Sequence, residues 1–251
     1  MIESFGLIAL GAACAGFVQG LSGFGFSLVA LSFWAWVLPP QLAAVLSVFG
    51  ALTGQLLAAF TVRRGFEAKR VLPFIAGGLA GLPIGLLLLP HVDTVIFRAF
   101  VGGLLALWCP AMLFSSRLPH LKAGGRVADA LAGSAGGLMG PLGGFTGAVP
   151  TLWCTLRGWE RDAQRAVIQN FNLAILAVTM ASYAAGGMVK PAMFASMAVV
   201  APALLLPALA GMRLYARISP QAFRQIVLGL LTLSGLAMLA NALPRLLGRL
   251  T

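Results

Sequence analysis

Acidic side chains are scarce: six Asp and Glu stand against 17 Lys and Arg in 251 residues, and only 9% of the chain is charged. A soluble domain of this length needs far more charge to cover its surface. Glu3, Glu67, Asp93, Asp129, Glu160 and Asp162 all fall in loops or at the ends of apolar segments. None is placed for a proton or sodium relay at mid-membrane, and a cationic cargo is disfavoured for the same reason. Histidine is rarer still, and His91 and His120 sit in turns without a partner at metal-ligand spacing. Cys14, Cys109 and Cys154 lie among apolar residues with no Cys-x-x-Cys, so they signal packing rather than a disulfide framework or a metal site. No Ser/His/Asp or Cys/His set forms a catalytic pattern, so neither an enzyme nor a cofactor is expected.

What is abundant is apolar: 60% of residues are hydrophobic, and the mean hydropathy is +0.96. The apolar runs recur along the whole chain, many of about 20 residues, the length that crosses a bilayer core as a helix. The expected class is an all-α polytopic membrane protein. The opening "MIESFGLIALGAAC" lacks a basic flank, so it is expected to stay as the first membrane segment. The net charge of +11 fits cationic loops facing anionic lipid. Nucleic acid is not an expected partner, because no basic stripe with interleaved aromatics accompanies the charge.

Hydropathy places segments at about 2–18, 26–38, 41–62, 71–89 and 94–114, then a polar linker "SSRLPHLKAGGR". The pattern then restarts at about 127–139, 145–156, 163–185, 191–212 and 223–243. The restart is an internal repeat. At an offset of 121, Gly16 falls on Gly137, Leu21 on Leu142, Gly23 on Gly144, Phe24 on Phe145, Leu31 on Leu152, Gly65 on Gly186 and Lys69 on Lys190. At 126, Phe97-Arg98 falls on Phe223-Arg224, and Gly103-Leu104-Leu105 on Gly229-Leu230-Leu231. The organisation expected is a first repeat over 1–117, a cytoplasmic linker over 118–126 and a second repeat over 127–251.

Basic residues switch sides between corresponding loops. "VRRGFEAKR" carries Arg63, Arg64, Lys69 and Arg70, whereas its counterpart "AAGGMVKP" has only Lys190. The turns "LPPQ" and "LPHVDT" have no Lys or Arg, but their counterparts carry Arg157, Arg161 and Arg165, and Arg213 and Arg217. Since Lys and Arg mark cytoplasmic loops, the repeats are expected to be inverted in topology. Each would consist of a glycine-broken short helical hairpin plus three full spans. Arg117, Lys122 and Arg126 of the linker then lie inside, while Lys190, Arg245 and Arg249 lie outside and Arg98 and Arg224 near helix ends.

The breaks are "GLSGFGFS" (20–27) and "PLGGFTGA" (141–148). Non-helical backbone at membrane depth must be shielded by protein or line a wet cavity. Half-helices starting at Phe26 and Phe145 would present unpaired N–H groups and the positive end of a helix dipole, which suits an anion. Paired broken helices at matching places in inverted repeats point to a transporter's central site. The bland alternative is tight helix packing, the role expected for Gly77, Gly78, Gly81 and Gly85. Candidate binding residues are Gln19, Ser22, Gly23, Phe24, Gly25 and Ser27 at the first break, and Gly143, Gly144, Phe145 and Thr146 at the second. Gln169, Asn170 and Asn172 of "IQNFN" add neutral amides, whose plain alternative is interhelical bonding. Thr151 borders the second break, and Thr53 and Gln55 hold a comparable depth in the first half.

Three stretches, "AGFVQGLSGFGFSLVAL", "GGLMGPLGGFTGAVPTL" and "RRGFEAKRVLPFIAGGLAGLPIG", resemble the TauE/SafE family of sulfite-exporter-like permeases. That resemblance implies a plasma-membrane anion transporter with duplicated halves, acting on sulfite, sulfoacetate or related sulfur-containing or organic anions. The mechanism it suggests is alternating access, with the halves rocking about an oxyanion held between the two hairpins. The partners expected are a small anionic substrate and membrane lipid, with homo-oligomerisation left open. A channel, a membrane enzyme and a non-transporting scaffold are the other classes weighed.

Overall fold

A computed structural model describes residues 2–61, 65, 67–115, 121, 124–214 and 220–248, with the side chains of residues 2–4, 161 and 220–224 outside that description. Arg63, Arg64, Arg117, Lys122, Arg217 and Arg249, used above to argue topology, and His120 therefore lie outside the described residues. Every regular element among the described residues is helical, as the composition requires. In chain order they are α1 (Ile2–Ser22), α2 (Phe26–Val37), α3 (Pro40–Thr61), α4 (Ala68–Leu88), a 3-10 turn (Leu89–His91) and α5 (Thr94–Leu113). The second half contains α6 (Gly125–Met139), α7 (Ala148–Leu156), α8 (Arg161–Ala185), α9 (Met193–Leu214) and α10 (Pro220–Leu247).

Among the described residues seven helices are long and apolar enough to cross a membrane: α1, α3, α4, α5, α8, α9 and α10. Their outer faces carry fully exposed apolar side chains such as Phe60 (88%) and Leu107 (76%), the arrangement expected where lipid is the solvent. The chain is a multi-pass membrane protein. Two details differ from the sequence expectation. Helix α1 does not stop at Val18 but runs through Gly20 to Ser22, giving 21 residues where a short segment was expected. Its counterpart α6 has only 15. The second half-helix starts at Ala148, because Phe145 to Gly147 form a turn before it.

Glycine decides which helices touch. Helix α1 packs on α9, α4 on α6, α5 on α10 and α3 on α8. A Cβ on Gly16 would fall 2.5 Å from the Leu204 carbonyl oxygen, and one on Gly211 2.4 Å from that of Phe17. In the other pair, a Cβ on Gly137 would lie 1.9 Å from the Gly78 oxygen, and one on Gly85 2.1 Å from that of Leu138. Such approach is open only to glycine, and it allows the backbone-to-backbone packing favoured in membranes. The two sets of contacts correspond: moving Gly16 and Phe17 by 121 and Leu204 and Gly211 back by 126 gives Gly137, Leu138, Gly78 and Gly85. Contacts advance together along both members of each pair, so α1 runs parallel to α9, and α4 to α6.

Gly137→Ala forces a methyl into the α4 backbone and is expected to destabilise the protein by about 1–3 kcal/mol or more. Gly103→Ala, where a Cβ meets nothing within 4 Å, is expected to leave the melting temperature unchanged or raise it. Thermal unfolding of the two variants in detergent checks the contrast.

Candidate functional site

The first break is short. Helix α1 ends at Ser22, and α2 begins at Phe26 after Gly23 (φ 79°) and Gly25 (φ 95°), both in the left-handed region that favours glycine. The second break is longer, from Gly140 to Gly147, and Gly144 (φ 77°) matches Gly23 at the repeat offset. The breaks leave carbonyl oxygens outside helical ladders, and side chains cap them. Gln55 Nε2 donates to Gly23 O at 2.9 Å, Ser47 to Gly143 O at 2.8 Å and Ser27 to Gly144 O at 2.9 Å. Tyr183 donates to Pro141 O, and Ser22 to Phe24 O. These five acceptors are thus occupied from within the protein.

The donors are treated differently. Phe26, Ser27 and Leu28 occupy the first turn of α2, where N–H groups have no intrahelical acceptor, and the helix has no side-chain cap. All three residues line one small, partly open cavity, together with Gly144 to Ala148 of the second break. Gln19, Ala51, Gln55, Asn172 and Leu176 complete its polar and apolar wall. Ala51 and Asn172 lie near the middles of α3 and α8, so the cavity is level with the middle of the helical layer. Among the described residues no charged side chain lines it. Thr146 donates to Asn172 Oδ1 at 2.8 Å, which orients the Asn172 amide so that Nδ2 faces Gly147. A Cβ on Gly147 would lie 2.8 Å from that nitrogen.

The two breaks therefore share a cavity, but the expected symmetry of their donors does not hold. Gly23 N–H donates to Gln19 O and Gly144 N–H to Gly140 O, so neither glycine amide is free for a ligand. At α7, Ala148 N–H donates to Phe145 O and Pro150 has no N–H, so this helix end is poor in donors. The donor-rich end is that of α2.

Of the residues read from the sequence, Gln19, Phe24, Gly25, Ser27, Gly144, Phe145, Thr146 and Asn172 line the cavity. Ser22, Gly23 and Gly143 shape the turns behind it. Gln169 is buried against Gly23, where an added Cβ would be 2.7 Å from Nε2. Asn170 stands apart: it donates to Ala166 O at 2.8 Å and Gly65 O at 3.2 Å, on a different face of α8 from Asn172. Helical periodicity separates neighbours 170 and 172 by more than half a turn. Two features escaped sequence reasoning. Arg165 was counted only as a loop charge, yet α8 begins at Arg161 and its second turn brings Arg165 against Gly23, with Nε 3.2 Å from the Cβ position. Asp129 was placed at a segment end, but it is buried in α6, 3.0 Å from Arg157 Nη1 and 2.8 Å from Trp153 Nε1. Its charge ties α6 to the end of α7 rather than standing ready for a relay.

Ser27→Ala removes the donor to a buried carbonyl at the meeting point of the two breaks. It is expected to lower stability by about 1–3 kcal/mol, which thermal or denaturant unfolding measures. Ser32→Ala, which removes only a local bond within α2, is expected to cost less.

No curated protein and no solved structure matches the chain. The sequence model of one family, described as Sulfite exporter TauE/SafE, matches residues 8–238 and so takes in both breaks and the helices that wall the cavity. The chain belongs to the TauE/SafE sulfite exporter family, a family of membrane transporters, in keeping with the seven helices among the described residues that are long and apolar enough to cross a membrane.

Proposed function

We infer that the protein carries a small oxyanion, such as sulfite, sulfoacetate or another sulfur-containing or organic anion, across the plasma membrane. The observation that carries this reading is the asymmetry of the cavity. The carbonyls of Gly23, Gly143 and Gly144 are capped by protein side chains, while Phe26, Ser27 and Leu28, the uncapped first turn of α2, line the cavity and bring the positive end of that helix to it. Asn172 Nδ2 adds a neutral donor. Donors without full charges suit a solute that must bind and then leave. Arg165 and Gln169, beside Gly23, serve the approach from the cytoplasmic side, where the basic loops raise the local anion concentration.

The halves act as inverted repeats about this cavity. In support, α1 runs parallel to α9, the counterpart of α4. On this reading three reversals of the chain separate α1 from α4, and corresponding helices of the two halves point in opposite directions. Rocking of one half against the other then opens the cavity to each side in turn.

Purified protein in liposomes is expected to give saturable flux of sulfite, inhibited by competing oxyanions; flux linear in concentration would instead indicate a channel. Gly23→Leu and Gly144→Leu place side chains at positive φ, and against Gln169 and Ser27. Each is expected to lower flux by about tenfold or more, a loss of about 1.4 kcal/mol per tenfold. Transport intact in both variants would refute the site.

A further inference from the structure

One face of α8 runs from the edge of the helical layer to the cavity. Arg165, Gln169, Asn172 and Leu176 follow at intervals of four, three and four residues, so they stack on that face. Asn172 and Leu176 line the cavity. Gln169 lies about 4.5 Å from Asn172 along the helix axis, and Arg165 about 6 Å further towards the start of α8. Both meet the first broken turn: an added Cβ on Gly23 would fall 2.7 Å from Gln169 Nε2 and 3.2 Å from Arg165 Nε. Gln169 is 3% exposed, and its Nε2 is sealed from solvent. The path along α8 is shut at this level.

The closure is a contact rather than a bond. Gly23 is satisfied within its own half: its N–H donates to Gln19 O at 2.7 Å, and Gln55 donates to its carbonyl at 2.9 Å. Gln169 Nε2, from the other half, has no hydrogen-bond partner among the described residues. Parting Gln169 from the turn therefore breaks no bond of that nitrogen, and it lets a costly buried donor reach water or an anion. The counterpart turn is held differently. At the repeat offset, Ala44, Val48, Ala51 and Gln55 of α3 correspond to Arg165, Gln169, Asn172 and Leu176. Gly144 lies beside α3, where an added Cβ would be 3.6 Å from the Ser47 carbonyl carbon. Ala44 and Val48 are apolar and fully buried, and Ser47 and Ser27 bond Gly143 O and Gly144 O across the two halves.

The polar junction sits where the basic loops meet. Asn170 donates to Gly65 O at 3.2 Å, and the Arg70 guanidinium carbon is 5.6 Å from the Trp159 ring centroid. On the anion-carrier reading, that end is cytoplasmic. We propose that Gln169 and Arg165 form the inner gate of the carrier. In this conformation they close over the Gly23 turn. When they part from it, the anion passes Arg165, Gln169 and Asn172 in order to reach the cavity. The single charge draws the anion in, and the neutral amides pass it on without holding it. The proposal rests on the anion-carrier reading and adds where the passage lies and which side chains shut it.

The test places a cysteine in the gate of the full chain. Cys109 and Cys154 are buried and Cys14 is half-buried, so the unaltered protein supplies the background. Gln169→Cys, in membrane vesicles of each orientation, is treated with an anionic methanethiosulfonate that does not cross lipid. Labelling is expected to be about tenfold or more faster from the cytoplasmic face, and sulfite flux to fall in step with it. Gln169→Met keeps the length of the side chain but removes the amide. It is expected to lower flux by about tenfold or more with the melting temperature unchanged or raised, because the closed state loses its unpaired donor. A residue that only supported the fold would lower both. Labelling no faster from the cytoplasmic face, labelling that leaves flux intact, or undiminished flux in Gln169→Met overturns the gate. Failure of both variants to fold overturns it too, since Gln169 would then be a packing residue. Absence of saturable sulfite flux in the unaltered protein instead overturns the carrier reading.

Discussion

Peptide groups cannot face hydrocarbon unpaired, and the two broken turns are where this chain meets that constraint. Every broken turn frees carbonyls and amides in equal measure. Here the carbonyls are answered by Gln55, Ser47, Ser27, Tyr183 and Ser22. The helix that follows the first turn brings its leading residues, Phe26, Ser27 and Leu28, to the cavity wall without a side-chain cap. Elsewhere the same rule is applied to seal rather than to open: Arg98 donates to Ala35 O and Trp36 O, closing the far end of α2, and Trp108 donates to Ala148 O.

This arrangement needs the helices to come very close, and glycine makes that possible. The Gly16, Gly137, Gly85 and Gly211 contacts bring backbones together in two pairs, α1 with α9 and α4 with α6. Each pair joins a helix of one half to a helix of the other, so the halves are interlocked rather than merely adjacent. Motion about the cavity has to be accommodated by such rigid pairs, while α3 and α8, which supply Ala51, Gln55, Asn172 and Leu176, meet between them.

The chemistry of the site departs from the symmetry of its backbone. Gly23 and Gly144 adopt nearly the same φ, yet the residues around them differ: Gln55 of the first half has Leu176 as its counterpart, and Asn172 of the second has Ala51. The backbone turns correspond between the halves, while the side chains around them do not.

Much was legible without coordinates because it depends on composition and period. Scarce charge and long apolar runs fixed an all-helical membrane chain, and repeated glycines with alternating basic loops marked the breaks and the offset between halves. The three-dimensional fold decided what distance along the chain cannot show. Asn170 and Asn172 lie two residues apart but on different faces of α8. Arg165 reads as a loop charge until the start of α8 carries it to Gly23. Which peptide groups stay free depends on partners up to 117 residues away, as for Ser27 and Gly144. Local sequence determines where a helix must break; only packing determines which atoms of the break remain to bind.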